Sequence, residues 1–136
     1  MAPSADASRG RLYTAVGTGA VLLGGLAYLG FGDPHRPNFL FPPCPFHALT
    51  GLYCPGCGGL RMTHDVLNGD LAAAVVDNVF ALVGMPLLLV WILLRVRSGR
   101  PWMTPAAAVV IIVAAATWTV VRNLPGFPLV PTVLDG

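Results

Sequence analysis

Three long stretches of this chain are dominated by apolar residues, and segments rich in proline, glycine and charge separate them. The first, 12–31, is an uncharged run of 20 residues preceded by Arg9 and Arg11. At about 1.5 Å per helical residue, that length matches the roughly 30 Å hydrocarbon layer of a bilayer. The second covers 71–95, with Asp70 after Gly69 as its N-cap. Pro86 lies in its most apolar part and predicts a kink, because it removes a donor and crowds the carbonyl of Leu82. The third, 105–122, opens on Thr104-Pro105, a hydroxyl cap followed by proline at the first helical position.

The flanks fit this pattern. Residues 1–11 read as a disordered cytoplasmic N-terminus and 96–104 as a basic cytoplasmic turn. Residues 123–136 form a proline-rich tail in which Pro125, Pro128 and Pro131 favour extended polyproline geometry. Trp91, Trp102 and Trp118 fall near predicted helix ends, where interfacial tryptophans sit. Ala15 with Gly19, and Ala20 with Gly24, have the small-residue spacing that lets another helix approach. An arginine-led apolar run also fits a secretory signal peptide. However, this run is long for one, and no small-x-small cleavage site follows before Asp33-Pro34.

Composition points to the same solvent. Of 136 residues, 55% are hydrophobic and 10% charged, against about 25% charged in soluble domains. A soluble chain with so few charges would expose large apolar patches. All 8 basic residues are arginine and all 6 acidic ones aspartate, for a net charge of +2. No basic stripe with interleaved aromatics is present, so nucleic acid is not an expected partner. Placing the N-terminus in the cytoplasm puts Arg9, Arg11, Arg95, Arg97 and Arg100 inside and only Arg36, Arg61 and Arg122 outside. The loop 32–70 then faces outward.

That loop holds all 3 cysteines, Cys44, Cys54 and Cys57. Within it, 60–68 reads as a short amphipathic helix at the membrane surface. Arg61, His64, Asp65 and Asn68 share its polar face, with Leu60 and Leu67 largely opposite. Cys44-Pro45, Thr50-Gly51, Cys54-Pro55-Gly56-Cys57-Gly58, Arg61 and Gly69-Asp70-Leu71 together resemble the bacterial membrane proteins grouped as domain of unknown function 2752. Leu60 stands where that pattern has threonine, and Val79 follows Asn78 where proline is frequent. The resemblance implies a small membrane protein of the bacterial cytoplasmic membrane with a paired-cysteine core. It marks Thr50, Gly51, Pro55, Gly58, Arg61, Asp70 and Asn78 as supporting residues and assigns no activity.

Three chemistries compete for the cysteines. A disulfide would clamp the loop in an oxidising compartment, but three thiols leave one over. A zinc site would use Cys44, His47, Cys54 and Cys57, whose two-residue gaps turn both ligands of each pair towards one ion. His64 is a poor substitute for His47, because a continuous helix carries it about 10 Å along the axis from Cys57. Thiol redox chemistry would use Cys54 and Cys57, with Cys44 as resolving partner, and a helix start and Arg61 would favour a thiolate. Asp77 reads as a satisfied interfacial group, with pairing to Arg61 or His64 or binding of a proton or ion as the alternatives, and His35 as part of an exposed turn.

The fold class expected is therefore an all-α membrane protein. It has three transmembrane helices, a cysteine-containing extracytoplasmic loop and a short interfacial helix. The function expected is binding or accessory, within a complex of other membrane proteins, rather than enzymatic. A membrane thiol-disulfide oxidoreductase and a structural zinc module are the alternatives.

Overall fold

The computed structural model describes residues 5–36, 39–41 and 44–131, with side chains from residue 9 onward. Expectations for residues 1–4 and 132–136 lie outside the described residues. Five helices are present among the described residues: α1 (Ala5–Phe31), α2 (Pro45–Thr50), α3 (Gly59–Leu67), α4 (Leu71–Arg97) and α5 (Pro105–Arg122). Three of them, through Arg9–Phe31, Leu71–Arg97 and Pro105–Arg122, are long and apolar enough to cross a membrane. Large apolar side chains point outward along them, Leu23, Leu89 and Val110 among them. Water would penalise such surfaces, whereas lipid solvates them. The chain is a multi-pass helical membrane protein, as its apolar runs predict.

Two features of the spans differ from the sequence pattern. Helix α1 begins at Ala5, ahead of the apolar run at residue 12. Extending a helix already nucleated by a long apolar segment costs little, and Ala5 and Ala7 are good helix formers. In α4 the backbone leaves helical geometry at Asn78 (φ −163°, ψ 81°), not around Pro86. The Asn78 side chain accepts the N–H of Ala81 at 2.9 Å, so it acts as an N-cap for a second helical piece. That piece, 79–97, is about 28 Å long, close to the roughly 30 Å of hydrocarbon.

At one end of the molecule the last turns of α1 and α5 and the first turns of α4 gather around α3 and the cysteine turn. Here the buried side chains are mostly polar: Asp65, Asp77, Asn78 and Arg122, with Cys57, Met62 and Ala74. Helix α3 packs against α4 and α1, and its polar face turns inward. His64 Nδ1 donates to the carbonyl of Leu29 at 2.6 Å, Asn68 to Gly30 at 3.3 Å, and Arg61 to Pro34 at 3.3 Å. The last carbonyls of α1 lack partners within their own helix, and α3 supplies donors for them. Leu60, Val66 and Leu67 are the residues of α3 left exposed.

At the far end, Gly99 adopts φ 65°, and the Arg100 N–H returns to the carbonyl of Arg95 at 3.0 Å. Thr104 caps α5 by accepting the N–H of Ala107 at 3.2 Å.

The tail does not simply leave the bundle. Pro125 and Gly126 (φ 80°) form a turn closed by the Phe127 N–H on Leu124 O at 3.2 Å, which interrupts an extended polyproline run. Phe127 then meets Trp118 edge-on, with ring centroids 5.8 Å apart. Pro131 is buried against Gly58.

Candidate functional site

The cysteine centre is built from two short loop segments. Cys44 sits at the N-cap position of α2, with Pro45 at the first helical position. Helix α2 ends where Thr50 Oγ1 donates to Phe46 O at 2.6 Å and accepts the Leu52 N–H at 3.1 Å. Gly51 then reverses the chain in the left-handed conformation, φ 71°, which glycine adopts without steric cost. The next turn, Cys54-Pro55-Gly56-Cys57, closes with the Cys57 N–H on Cys54 O at 3.1 Å.

All three sulfurs converge. Cys44 Sγ lies 3.5 Å from Cys54 Sγ, and Cys54 Sγ lies 3.0 Å from Cys57 Sγ. All three ligand atoms fall within 4.8 Å of one another. The Cys54 N–H also faces Cys57 Sγ at 3.2 Å. The cysteines are free, with Cys57 buried and the other two partly exposed.

Their acidities diverge. The backbone N–H of His47 faces the Cys44 sulfur and holds that thiol below its ordinary range, against the opposing effect of burial. Burial, together with the sulfurs of Cys54 and Cys44, pushes the Cys57 thiol up to about 12.

His47 does not join the sulfurs. Its Nδ1 lies 3.2 Å from Leu52 O, and its ring stacks on Tyr53 with centroids 4.6 Å apart. As the third residue of α2, His47 turns its backbone N–H back towards Cys44 at the N-cap, while its imidazole goes to Leu52 and Tyr53. Of the four zinc ligands the spacing predicts, the three cysteines therefore cluster and the histidine does not. Arg61 likewise turns to Pro34, so the cation under the loop is a different arginine.

That cation is Arg122, at the end of α5 and 1% exposed. Its Nη1 donates to the carbonyls of Cys54 at 3.2 Å and Cys57 at 2.8 Å, and its Nη2 to the carbonyl of Asp77 at 2.9 Å. The guanidinium also lies 5.6 Å from the Tyr53 ring and 5.4 Å from that of Trp118. Asn123 pairs with the Tyr53 backbone in both directions, at 2.9 Å each. From α4, Asn78 Nδ2 donates to Pro55 O and Cys57 O, each at 3.0 Å. These bonds take up carbonyls of the thiol turn that would otherwise be buried without partners.

The remaining motif residues have identifiable tasks. Gly58 (φ 82°) brings its backbone against the Asp77 carbonyl so closely that any Cβ would collide with it. Pro55 supplies the carbonyl that Asn78 reads, and Asp70 caps α4 by accepting the Ala73 N–H at 3.0 Å. Sequence reasoning treats Arg122 as a helix-end charge and His35 as exposed. In the structure His35 Nε2 lies 3.0 Å from the Asp65 carboxylate. The one signal for Arg122 was its position four residues after Trp118 in an otherwise uncharged helix.

Fold and site together define a helical membrane protein with three candidate spans whose cap gathers three thiols over a buried arginine. Residues 44–92 match the family model described as "Protein of unknown function (DUF2752)", the family whose motif pattern they resemble. No curated protein and no solved structure matches the chain.

Proposed function

We propose that this protein is a binding or accessory component of a membrane assembly, and that its cap carries a three-thiolate site for a soft divalent metal ion, zinc being the best fit. The cap would face the extracytoplasmic side of the bacterial cytoplasmic membrane, with the N-terminus inside. The observation that carries this reading is the convergence of all three sulfurs within 4.8 Å from two separate loop segments.

A zinc ion with Zn–S bonds of about 2.3 Å holds tetrahedral sulfurs about 3.8 Å apart. Small rotations of the three side chains reach that spacing. Three thiolates on a divalent ion leave a net negative charge, which the buried Arg122 beneath the loop offsets. His47 points to Leu52 and Tyr53, so the fourth ligand would be water or a group other than His47.

The Cys54 and Cys57 sulfurs, 3.0 Å apart across one tight turn, favour a second reading, dithiol exchange. A Cys54 thiolate would attack a client disulfide, form a mixed disulfide and release the client's thiolate. Cys57, after losing its proton to solvent, would then displace the second client thiolate. The products are a reduced client and an oxidised Cys54–Cys57 pair.

Metal analysis of the protein purified in mild detergent separates the two readings. About one zinc per chain, lost in Cys54→Ser, supports the metal site. Metal well below that level, with mixed disulfides accumulating on Cys54 in Cys57→Ser, supports exchange instead. An impermeant thiol reagent applied to intact spheroplasts tests the orientation, since labelling only after lysis would place the cap inside.

A further inference from the structure

A second cluster of ligating side chains lies apart from the sulfurs, where the loop after α1 folds over α3 and α4. His35, Asp65 and Asp77 each bring one ligand atom within 4.8 Å of the others. His35 Nε2 stands 3.0 Å from Asp65 Oδ1 and 3.9 Å from Asp77 Oδ2.

The position of His35 is fixed from several directions. Asp33 Oδ1 accepts the His35 N–H at 2.9 Å, and Asp33 Oδ2 accepts Arg36 Nε at 3.2 Å. Arg61 reaches the Pro34 carbonyl, and the Gly32 N–H bonds Tyr28 O at 2.7 Å.

We infer that His35, Asp65 and Asp77 form a binding site for a divalent cation of the nitrogen- and oxygen-preferring class, such as manganese or iron(II). Three observations carry it. Two carboxylates are buried side by side, Asp65 at 5% and Asp77 at 1% exposure, and both face the same imidazole nitrogen. The second oxygen of Asp65 is buried and has no hydrogen-bond partner among the described residues, so it keeps a lone pair for a ligand. The third is the part-exposed His35 side chain, which leaves an entry on the loop side.

The neighbouring cationic side chains send their hydrogen bonds to backbone carbonyls. Arg61 donates to Pro34 O and His64 to Leu29 O, and Arg122 donates to the Asp77 backbone carbonyl rather than meeting Asp65. A neutral imidazole and two carboxylates match a divalent charge, and three protein ligands leave positions for water. Bound there, the ion would tie the loop after α1 to α3 and to the first turns of α4.

Manganese(II) is the probe, because its preference for oxygen and nitrogen ligands keeps it off the thiol centre. Electron paramagnetic resonance titration of the full chain in detergent is expected to show one bound ion per chain. His35→Gln and Asp65→Asn should each weaken binding by at least about tenfold, while Cys44→Ser leaves it within about twofold. His35→Gln changes a part-exposed side chain and keeps the test valid if Asp65→Asn fails to fold. Absence of manganese binding at millimolar concentration, or unaltered affinity in His35→Gln, overturns the site. Nitrogen-15 spectra showing His35 doubly protonated at pH 8 and indifferent to manganese also overturn it, because the histidine would then itself be the counter-charge.

Discussion

The guanidinium of Arg122 donates to the backbone carbonyl of Asp77 across 2.9 Å, joining the last turn of one membrane span to the residue before the break in another. The same side chain holds the carbonyls of Cys54 and Cys57, so one cation sets where the thiol turn sits relative to two spans. Lysine has the charge but lacks the planar fork that reaches three carbonyls. Arg122→Lys should lower stability in detergent by about 3 kcal/mol, since buried carbonyls lose their donors. It should also slow oxidative closure of Cys54 with Cys57. Reversible unfolding monitored by circular dichroism checks the first effect, and unchanged stability would mean the three bonds are dispensable.

The break at Asn78 makes a prediction that runs against the usual effect of proline. Asn78 caps the piece 79–97, so Val79 occupies its first helical position, where a missing N–H removes no helical bond. Val79→Pro should therefore cost less than about 1 kcal/mol, while Leu82→Pro, one turn further in, should cost about 3 kcal/mol or more. Equal losses in a thermal-melting comparison would show that α4 runs unbroken through this region.

Gly58 allows the closest backbone approach in the cap, and its φ of 82° also disfavours any side chain. Gly58→Ala meets both penalties at once and should destabilise the cap by about 2 kcal/mol or more. Gly69→Ala shares the positive φ (82°) but has open space around the added carbon. It should cost only about 1 kcal/mol. The difference between the two variants reports the contact with Asp77.

Much of this was legible because lipid imposes a simple code. Each span must be long and apolar, and the runs containing Leu23, Leu89 and Val110 satisfy that without knowledge of their neighbours. The short helix after Gly58 was visible for a similar reason, through Arg61, His64, Asp65 and Asn68 on one face. The pattern could not say which way that face looks. It turns inward because the terminal carbonyls of α1, at Leu29 and Gly30, need donors. Arg122 was not legible: its partners lie 45 to 68 residues away in sequence, and one arginine closing an apolar helix looks like an interfacial anchor. His47 has ligand spacing, but spacing alone does not fix where a helix sends the ring, and here it stacks on Tyr53.

The two outer thiols of the centre should differ in their response to pH when the protein is reduced and metal-free. Cys57 is raised to about 12 in the folded chain, against about 8.5 unfolded. Its contribution to stability is full below about 8.5 and is lost as pH rises towards the folded value, with a slope of at most about 1.4 kcal/mol per pH unit. Cys44 has the opposite sign, because its depressed value favours the folded thiolate, and that contribution is lost as pH falls. Stability should therefore decline between pH 9 and 11 in the native chain and less so in Cys57→Ala. Near neutral pH, alkylation should label Cys44 ahead of Cys57. Reversal of that order would contradict the burial of Cys57.

X-ray absorption at the zinc edge, on native protein and His47→Ala, bears most directly on the thiol centre. Three sulfur ligands at about 2.3 Å with one lighter atom, in a spectrum that His47→Ala leaves unchanged, are expected. An imidazole contribution that disappears in His47→Ala, or zinc bound only through nitrogen and oxygen, would contradict a centre made of Cys44, Cys54 and Cys57.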